Sequence, residues 1–203
     1  MTFRWQSAAA TFSTVVFGAF AALAFCHCGH AAAVTQFQKS VYTAFSLADC
    51  RKQLSHVDGA AYLCPGLPGF RVYVAEGDGR TFLSAGYAPE NAPAANQTLT
   101  SFNTPFVHST QRATIEWRFV IRDGRKVPYA TIMRYFTHNA SARGEVLVVM
   151  RVQGAEACHV AYIDALANND PIVLARKIAD ERARTFNCAT PATIEGKTGV
   201  SPM

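Results

Sequence analysis

Residues 115–136 read IEWRFVIRDGRKVPYATIMRYF and carry the clearest fold signal in the chain. Apolar side chains take every second position in 115–121, which predicts a strand with one buried face. Asp123 and Gly124 follow it, and this dipeptide tolerates the positive φ angles of a tight hairpin turn. Residues 127–136 are therefore expected to return as the antiparallel partner strand.

Further strands are predicted on both sides of this hairpin. Residues 145–152 are apolar on both faces, as expected of a central, covered strand, and 158–163 would complete a four-stranded antiparallel meander. Shorter strands are predicted upstream at 41–47, 60–64, 70–75 and 81–85. Residues 87–111 contain several prolines and asparagines without sustained periodicity, so they are predicted to form a long loop.

A C-terminal helix is predicted to begin at Pro171, with Asp170 as its cap. Apolar residues recur there at helical spacing and are expected to face the sheet: Leu174, Ala175, Ile178, Ala179 and Phe186. The charged residues between them are assigned mostly to the solvated side: Arg176, Lys177, Asp180, Glu181 and Arg184. The predicted fold class is α+β, an antiparallel meander sheet with this helix packed on it, in one domain at 34–188. The polar tail at 189–203 is expected to fray.

Residues 1–33 have the composition of a secretory signal peptide. Arg4 is their only charge, an apolar run spans 8–25, and small residues follow it. We predict cleavage after Ala33, with cleavage after Ala31 as the near alternative. The mature chain is then expected in the periplasm or secreted, without a stable membrane span.

Two other readings of the N-terminal segment stay open. An uncleaved signal would anchor the protein, because the apolar run is about long enough to span a bilayer. Lipidation at Cys26 is a further alternative, although Phe25 is larger than the residue expected before a lipidated cysteine. Cleavage would remove one basic residue, leaving a formal net charge one unit below the +5 of the whole chain. This positive excess is mild, and an exported protein does not normally meet nucleic acid, so nucleic acid is not an expected partner.

Four cysteines would remain in the mature chain, and an even count in an exported protein predicts paired cystines. Three pairings are formally possible. Cys50 and Cys64 lie close together in the sequence, which favours their pairing. The expected strand and helix lengths favour Cys158 with Cys188, because a helix folding back across the sheet returns Cys188 to Cys158. A metal site is not predicted, since no close Cys-x-x-Cys pair survives, and no cofactor is expected.

Two short blocks resemble small uncharacterised secreted proteins of bacteria. One contains Cys64, Pro65, Gly66 and Gly69, followed by Gly77 and Asp78. The other is the ending Leu174, Ala175, Arg176, Ile178, Ala179, Asp180, Glu181, Phe186 and Cys188. The resemblance implies a periplasmic address and the two local cystines. It implies no activity and no catalytic residue.

The sequence contains little that predicts catalysis. It has no Gly-x-Ser-x-Gly elbow around Ser84 and no HExxH motif. The histidines at 56, 108, 138 and 159 are scattered. Glu76 and Asp78 flank Gly77 and could hold calcium or act as paired carboxylates, but the full EF-hand pattern is absent. We interpret them as part of an acidic, glycine-rich turn.

Our leading functional hypothesis is noncatalytic recognition of a periplasmic or envelope protein. Aromatic residues could anchor such a partner, and the candidates are Tyr87, Phe102, Phe106, Tyr129 and Tyr135. A basic stripe across the sheet is a further candidate, formed by Arg118, Arg122, Arg134 and Arg151 if the strand register aligns them. The alternative hypothesis is a hydrolase that uses the loop at 87–111 as a lid.

Overall fold

The computed structural model describes residues 39–56 and 59–203. The predicted signal peptide, its two cleavage sites and the anchor and lipidation alternatives lie outside these residues. In chain order the elements described are β1 (Lys39–Phe45), β2 (Arg51–His56), β3 (Gly59–Pro65), β4 (Arg71–Gly77), β5 (Arg80–Gly86), β6 (Phe102–Thr104), β7 (Ala113–Arg122), β8 (Arg125–His138), β9 (Arg143–Gln153), β10 (Glu156–Asp164), α1 (Pro171–Arg182) and β11 (Thr193–Glu195). The described chain is thus mostly β-structure with one α-helix.

The strands form two sheets, whereas the sequence predicts one. The larger sheet has the order β1-β7-β8-β9-β10-β11, and β6 pairs with the far end of β8. Strands β7 to β10 are antiparallel neighbours, but β11 pairs with β10 in parallel, so this sheet is mixed. The upstream strands β2 to β5 form a separate antiparallel sheet. The sequence analysis missed β2, β6 and β11, which are short or largely polar.

The hairpin between β7 and β8 has the turn that the sequence predicts. Asp123 and Gly124 have φ angles of 49° and 72°, as a type I′ turn requires. The register shifts where Phe119 faces Pro128. A proline cannot donate a hydrogen bond to the ladder, so a bulge at this point is expected.

The larger sheet has two apolar faces, and the smaller sheet covers one of them. On one face, Trp117, Tyr135 and Val148 are buried against Val74 and Leu83 of the smaller sheet. On the other face, a separate buried cluster joins the larger sheet to the helix through Ala175, Ile178 and Ala179. Both faces of the central strands are therefore covered, which removes their apolar area from water.

The helix-facing side of the larger sheet also holds a network of buried charges. Arg118 donates from Nε and Nη2 to the Asp180 carboxylate at 2.9 and 2.6 Å, and Tyr129 donates to the same group. Arg176 donates from Nε and Nη2 to Glu116 at 2.7 and 3.0 Å. The sequence analysis placed Arg176 and Asp180 on the solvated side of the helix. They face β7 instead, because each pairs with an opposite charge that the sheet buries.

Both disulfides have the predicted pairing. Cys50 is bonded to Cys64 and Cys158 to Cys188, with Cα atoms 4.2 and 5.6 Å apart. The second disulfide links β10 to the segment after α1, as the folded-back helix requires. Arg151 supports this return by donating to the carbonyl oxygens of Arg184 and Phe186.

The sequence predicts that the tail at 189–203 frays, and Asp164 attaches its residues Val200 and Ser201 to the sheet. The buried Asp164 carboxylate accepts hydrogen bonds from Val200 N, Ser201 N and Ser201 Oγ at 2.9, 2.8 and 2.6 Å. It also accepts from Leu166 N and Ala167 N, both at 3.1 Å. Burial disfavours the charged carboxylate, but these donors outweigh burial and lower the pKa of Asp164.

The tail attachment gives the first testable prediction. Asp164→Ala removes the shared acceptor, so we expect a loss of about 2 kcal/mol of stability and faster tryptic cleavage after the exposed Lys197. Urea unfolding and timed proteolysis measure the two effects. Asp170→Ala is the matched control, because the Asp170 side chain makes no cap hydrogen bond. Equal stability and equal cleavage in both variants would contradict this account of the tail.

A second prediction concerns His159, which is buried between the sheets. Its Nδ1 lies 2.9 Å from the Tyr162 hydroxyl, and burial lowers its pKa from 6.5 to about 4, although a hydrogen bond with the Leu83 backbone opposes this. The unfolded chain binds this proton more readily, so the contribution of His159 is complete above about pH 6.5 and is lost as the pH falls towards 4. The loss is about 3 kcal/mol.

Denaturant unfolding between pH 7 and pH 4 tests this contribution. His159→Gln should lose less stability over that range than the wild type, whereas His138→Gln, at an exposed position, should follow the wild type. A His159→Gln curve parallel to that of the wild type would refute the assignment.

Candidate functional site

Strand β6 ties the two sheets together at one end of the molecule. It pairs with β8, with Asn103 opposite Thr137. Asn103 N donates to Gly79 O at 3.1 Å, and its Oδ1 accepts from Thr81 N at 3.1 Å. The Asn103 amide also donates to Ser101 O at 2.8 Å. One buried side chain therefore fixes β6 against the β4–β5 turn of the smaller sheet.

Three surface hollows surround this strand. Their volumes are about 310, 330 and 350 Å³, and Thr104 lines all three. Glu76 lines the first and third, Gly79 the first and second, and His108 the second and third. We call the three together the β6 trough. Its size and its position at the junction of two sheets make it the candidate site.

Glu76 is a carboxylate that lines the first and third hollows of the trough. Side chains alternate along a strand, and Val72 and Val74 are fully buried in the core between the sheets. Glu76 continues that face at the end of β4 and is half-buried. Among the described residues its carboxylate has neither an ion pair nor a hydrogen bond, and burial raises its pKa above the ordinary value.

The cations nearest to Glu76 in the trough are engaged elsewhere. Arg80 lines the first hollow and pairs with Asp78. Arg112 lines the third hollow, lies 3.4 Å from the Asp49 carboxylate and donates to Ala44 O at 3.2 Å. The trough therefore contains a half-buried carboxylate, and the two arginines that line hollows together with it, Arg80 and Arg112, pair with other carboxylates. Arg143 lines the second hollow, which Glu76 does not line.

The second hollow is the most apolar part of the trough. Phe136 and Leu166 line it, and Leu166 is 51% exposed. His138 lines it too, and the Phe102 ring lies 5.3 Å from the His138 ring between centroids, with 47% of Phe102 exposed. Arg143 lies at the rim. This hollow can accept an apolar side chain while its rim contacts polar groups.

The structure separates the two exposed aromatic candidates. Phe102 belongs to β6 and packs against His138, which lines the second hollow, whereas Tyr87 follows the other end of β5. Tyr87 is 54% exposed and stacks on Phe70 with centroids 4.4 Å apart. The predicted anchors therefore do not form one patch.

The other three aromatic candidates are buried. Phe106 packs edge-on against Phe45, and Tyr135 lies in the core between the sheets. Tyr129 is buried under the helix with its hydroxyl on Asp180. The Tyr129 and Tyr135 rings are therefore not available to a partner. Phe106 is also buried, although it lines the third hollow.

The predicted basic stripe does not form an exposed surface. The register places Arg118, Ala130 and Arg151 side by side, but the helix covers that face. Arg118 pairs with Asp180, Arg134 with Glu145 and Arg151 with Glu156. Arg122 is exposed at the hairpin end.

Residues 87–111 are also not one open loop. Two short helical turns, Pro89–Asn91 and Pro93–Asn96, and strand β6 lie within them. Ala92, Ala94 and Leu99 are buried in the core. Residues 107–111 are exposed, and Val107 pairs with Arg112 to close them into a small turn. The whole segment therefore does not form one hinged lid, and its exposed tip is the short turn at 107–111.

Sequence reasoning missed Thr104 and Arg143, and it favoured a turn over a calcium site or paired carboxylates for Glu76. Glu76 was open to detection, because the alternation of Val72 and Val74 extends to it. No sequence pattern indicated Thr104 or Arg143. They lie on β6 and β9, which come together only because both strands pair with β8.

Comparison with models of protein families, with curated proteins and with solved structures gives no match for this chain. In residues 39–56 and 59–203, no helix is long and apolar enough to cross a membrane. The same residues bring no three histidine, cysteine or acidic side chains together in a group that could hold a metal.

The half-buried carboxylate of Glu76 leads to a third prediction. Its pKa is raised in the folded state, so its contribution to stability is lost as the pH rises through its titration range. Glu76→Gln removes the charge and should stabilise the protein at pH 7, which urea unfolding measures. Glu181→Gln on the exposed surface of α1 is the control and should change little. A destabilised Glu76→Gln with an intact fold would show that the carboxylate has a structural partner.

Proposed function

We propose that the mature chain is a noncatalytic recognition module of the periplasm, and that the β6 trough binds another exported protein. The observation that carries this proposal is the second hollow, where the half-exposed Leu166 lies beside Phe136. The half-exposed Phe102 ring packs against His138, which lines this hollow. Exposed aromatic and aliphatic side chains around a concave surface favour a protein interface.

The periplasmic address is supported by the disulfides and by the signal-like residues 1–33. Cys50–Cys64 and Cys158–Cys188 fit a compartment in which thiols are oxidised. The disulfides and the buried charge network also support a rigid scaffold. A rigid surface loses less conformational entropy on binding than a mobile one.

A hydrolase is the second candidate, and one observation favours it. Glu76 and His108 line the same hollow of about 350 Å³, and a carboxyl group with a raised pKa beside a histidine is suited to acid–base chemistry. This hypothesis uses residues 87–111 as a lid. Ala92, Ala94 and Leu99 within that segment are buried in the core, which does not support a mobile lid. Recognition is therefore the better-supported function.

The fourth prediction compares two exposed aromatic residues, one beside the trough and one away from it. Phe102→Ala should reduce capture of a periplasmic partner by about fivefold or more, because truncating an aromatic anchor costs over about 1 kcal/mol. Tyr87→Ala, which removes an equally exposed ring outside the trough, should capture the partner as the wild type does. Quantitative crosslinking and mass spectrometry of periplasmic extracts measure both.

Thermal unfolding should show that both variants fold. Loss of the same partner in Tyr87→Ala but not in Phe102→Ala would move the binding surface away from the trough. Hydrolysis of ester, glycoside or peptide substrates that disappears in Glu76→Gln would favour the second candidate.

A further inference from the structure

Glu76 gives the trough a charge preference, and this inference rests on the proposed recognition function. Glu76 lies near the C-terminal end of β4, and it is the next residue on the strand face that carries two fully buried valines. An acid at this position is partly removed from water. Among the described residues, no cation approaches it closely enough to form an ion pair.

The neighbouring side chains do not compensate this charge. Arg80 pairs with Asp78, and Arg112 contacts Asp49 and a backbone carbonyl. His108 lines the third hollow with Glu76, but the ring makes no hydrogen bond or ion pair within residues 39–56 and 59–203. The favourable partner for a desolvated carboxylate is a cation that arrives with the ligand, because that pairing offsets the cost of burial.

The ligand cation is organic in this account. Glu76, His108 and Asp78 do not form a group that could hold a metal ion, and hard cations require several oxygen ligands. A lysine or arginine side chain brings its own apolar stem, which suits a hollow between two sheets. Its charged end then needs only one carboxylate.

An apolar hollow shares lining residues with one that Glu76 lines. Thr104 and His108 line both the third hollow, which contains Glu76, and the second. The second hollow presents Phe136 and Leu166, with Phe102 beside His138. We propose that the β6 trough binds a peptide segment in which a lysine or arginine pairs with Glu76 and a neighbouring apolar side chain enters the second hollow.

The test uses arrays of immobilised heptapeptides and the protein purified with both disulfides intact. Each peptide carries leucine or phenylalanine next to a variable residue in a glycine background, in both orders. The variable residue is lysine, arginine, norleucine or glutamate. Wild-type protein should bind lysine and arginine peptides about tenfold more strongly than norleucine peptides, and glutamate peptides least.

Three variants assign the preference. Glu76→Gln should bind lysine and norleucine peptides equally, whereas the surface control Glu181→Gln should keep the wild-type preference. Glu76→Lys should prefer glutamate peptides. Circular dichroism and disulfide mapping show whether each variant is folded, and the conservative Glu76→Gln keeps the test valid if Glu76→Lys does not fold.

The outcomes separate this inference from the proposed function. If wild-type protein treats lysine and norleucine peptides alike, or if Glu76→Gln keeps the preference, the charge assignment is overturned. If Phe102→Ala still loses the periplasmic partner in that case, recognition by the trough stands without it. If Phe102→Ala also captures the partner normally, both proposals are overturned.

Discussion

The whole candidate site depends on how Asn103 holds β6 between two sheets. Its backbone and side chain bond to Gly79 and Thr81 of the smaller sheet, while β6 pairs with β8 of the larger one. The Asn103 side chain is buried, so its bonds are shielded from competing water. Without this connection the two sheet ends would have no shared wall, and the three hollows would not meet at Thr104.

The rest of the fold keeps that end of the molecule fixed while leaving it uncovered. The helix is fixed against β7 by the pairing of Arg118 with Asp180 and of Arg176 with Glu116. The tail is held at Asp164, and its Pro202 carbonyl accepts a hydrogen bond from Ser101, next to β6. Stability therefore comes from satisfied polar groups around two apolar cores, while Glu76 remains an unpaired group in the described chain. Such local conflicts are typical of functional positions.

The sequence predicts the local elements well because they depend on neighbours in the chain. The β7–β8 hairpin follows from alternation and from Asp123 with Gly124, and both disulfides follow from element lengths. The second sheet and β6 were not predictable in this way, since they depend on long-range pairing. The polar face of β7 was assigned to solvent because alternation cannot show that Arg176 and Asp180 of a later helix would meet Glu116 and Arg118 on that face. Phe102 was a correct candidate for an exposed aromatic, but its neighbours in the trough come from three distant strands.

The most direct test of the central claim is photo-crosslinking in the periplasm from a single photoreactive residue placed at Thr104, the position common to all three hollows. The account predicts a crosslinked partner protein from Thr104 and none from the same residue placed at Tyr87 or Arg122. A partner crosslinked equally from Tyr87, or from Arg122 at the hairpin end, with none from Thr104, would contradict it.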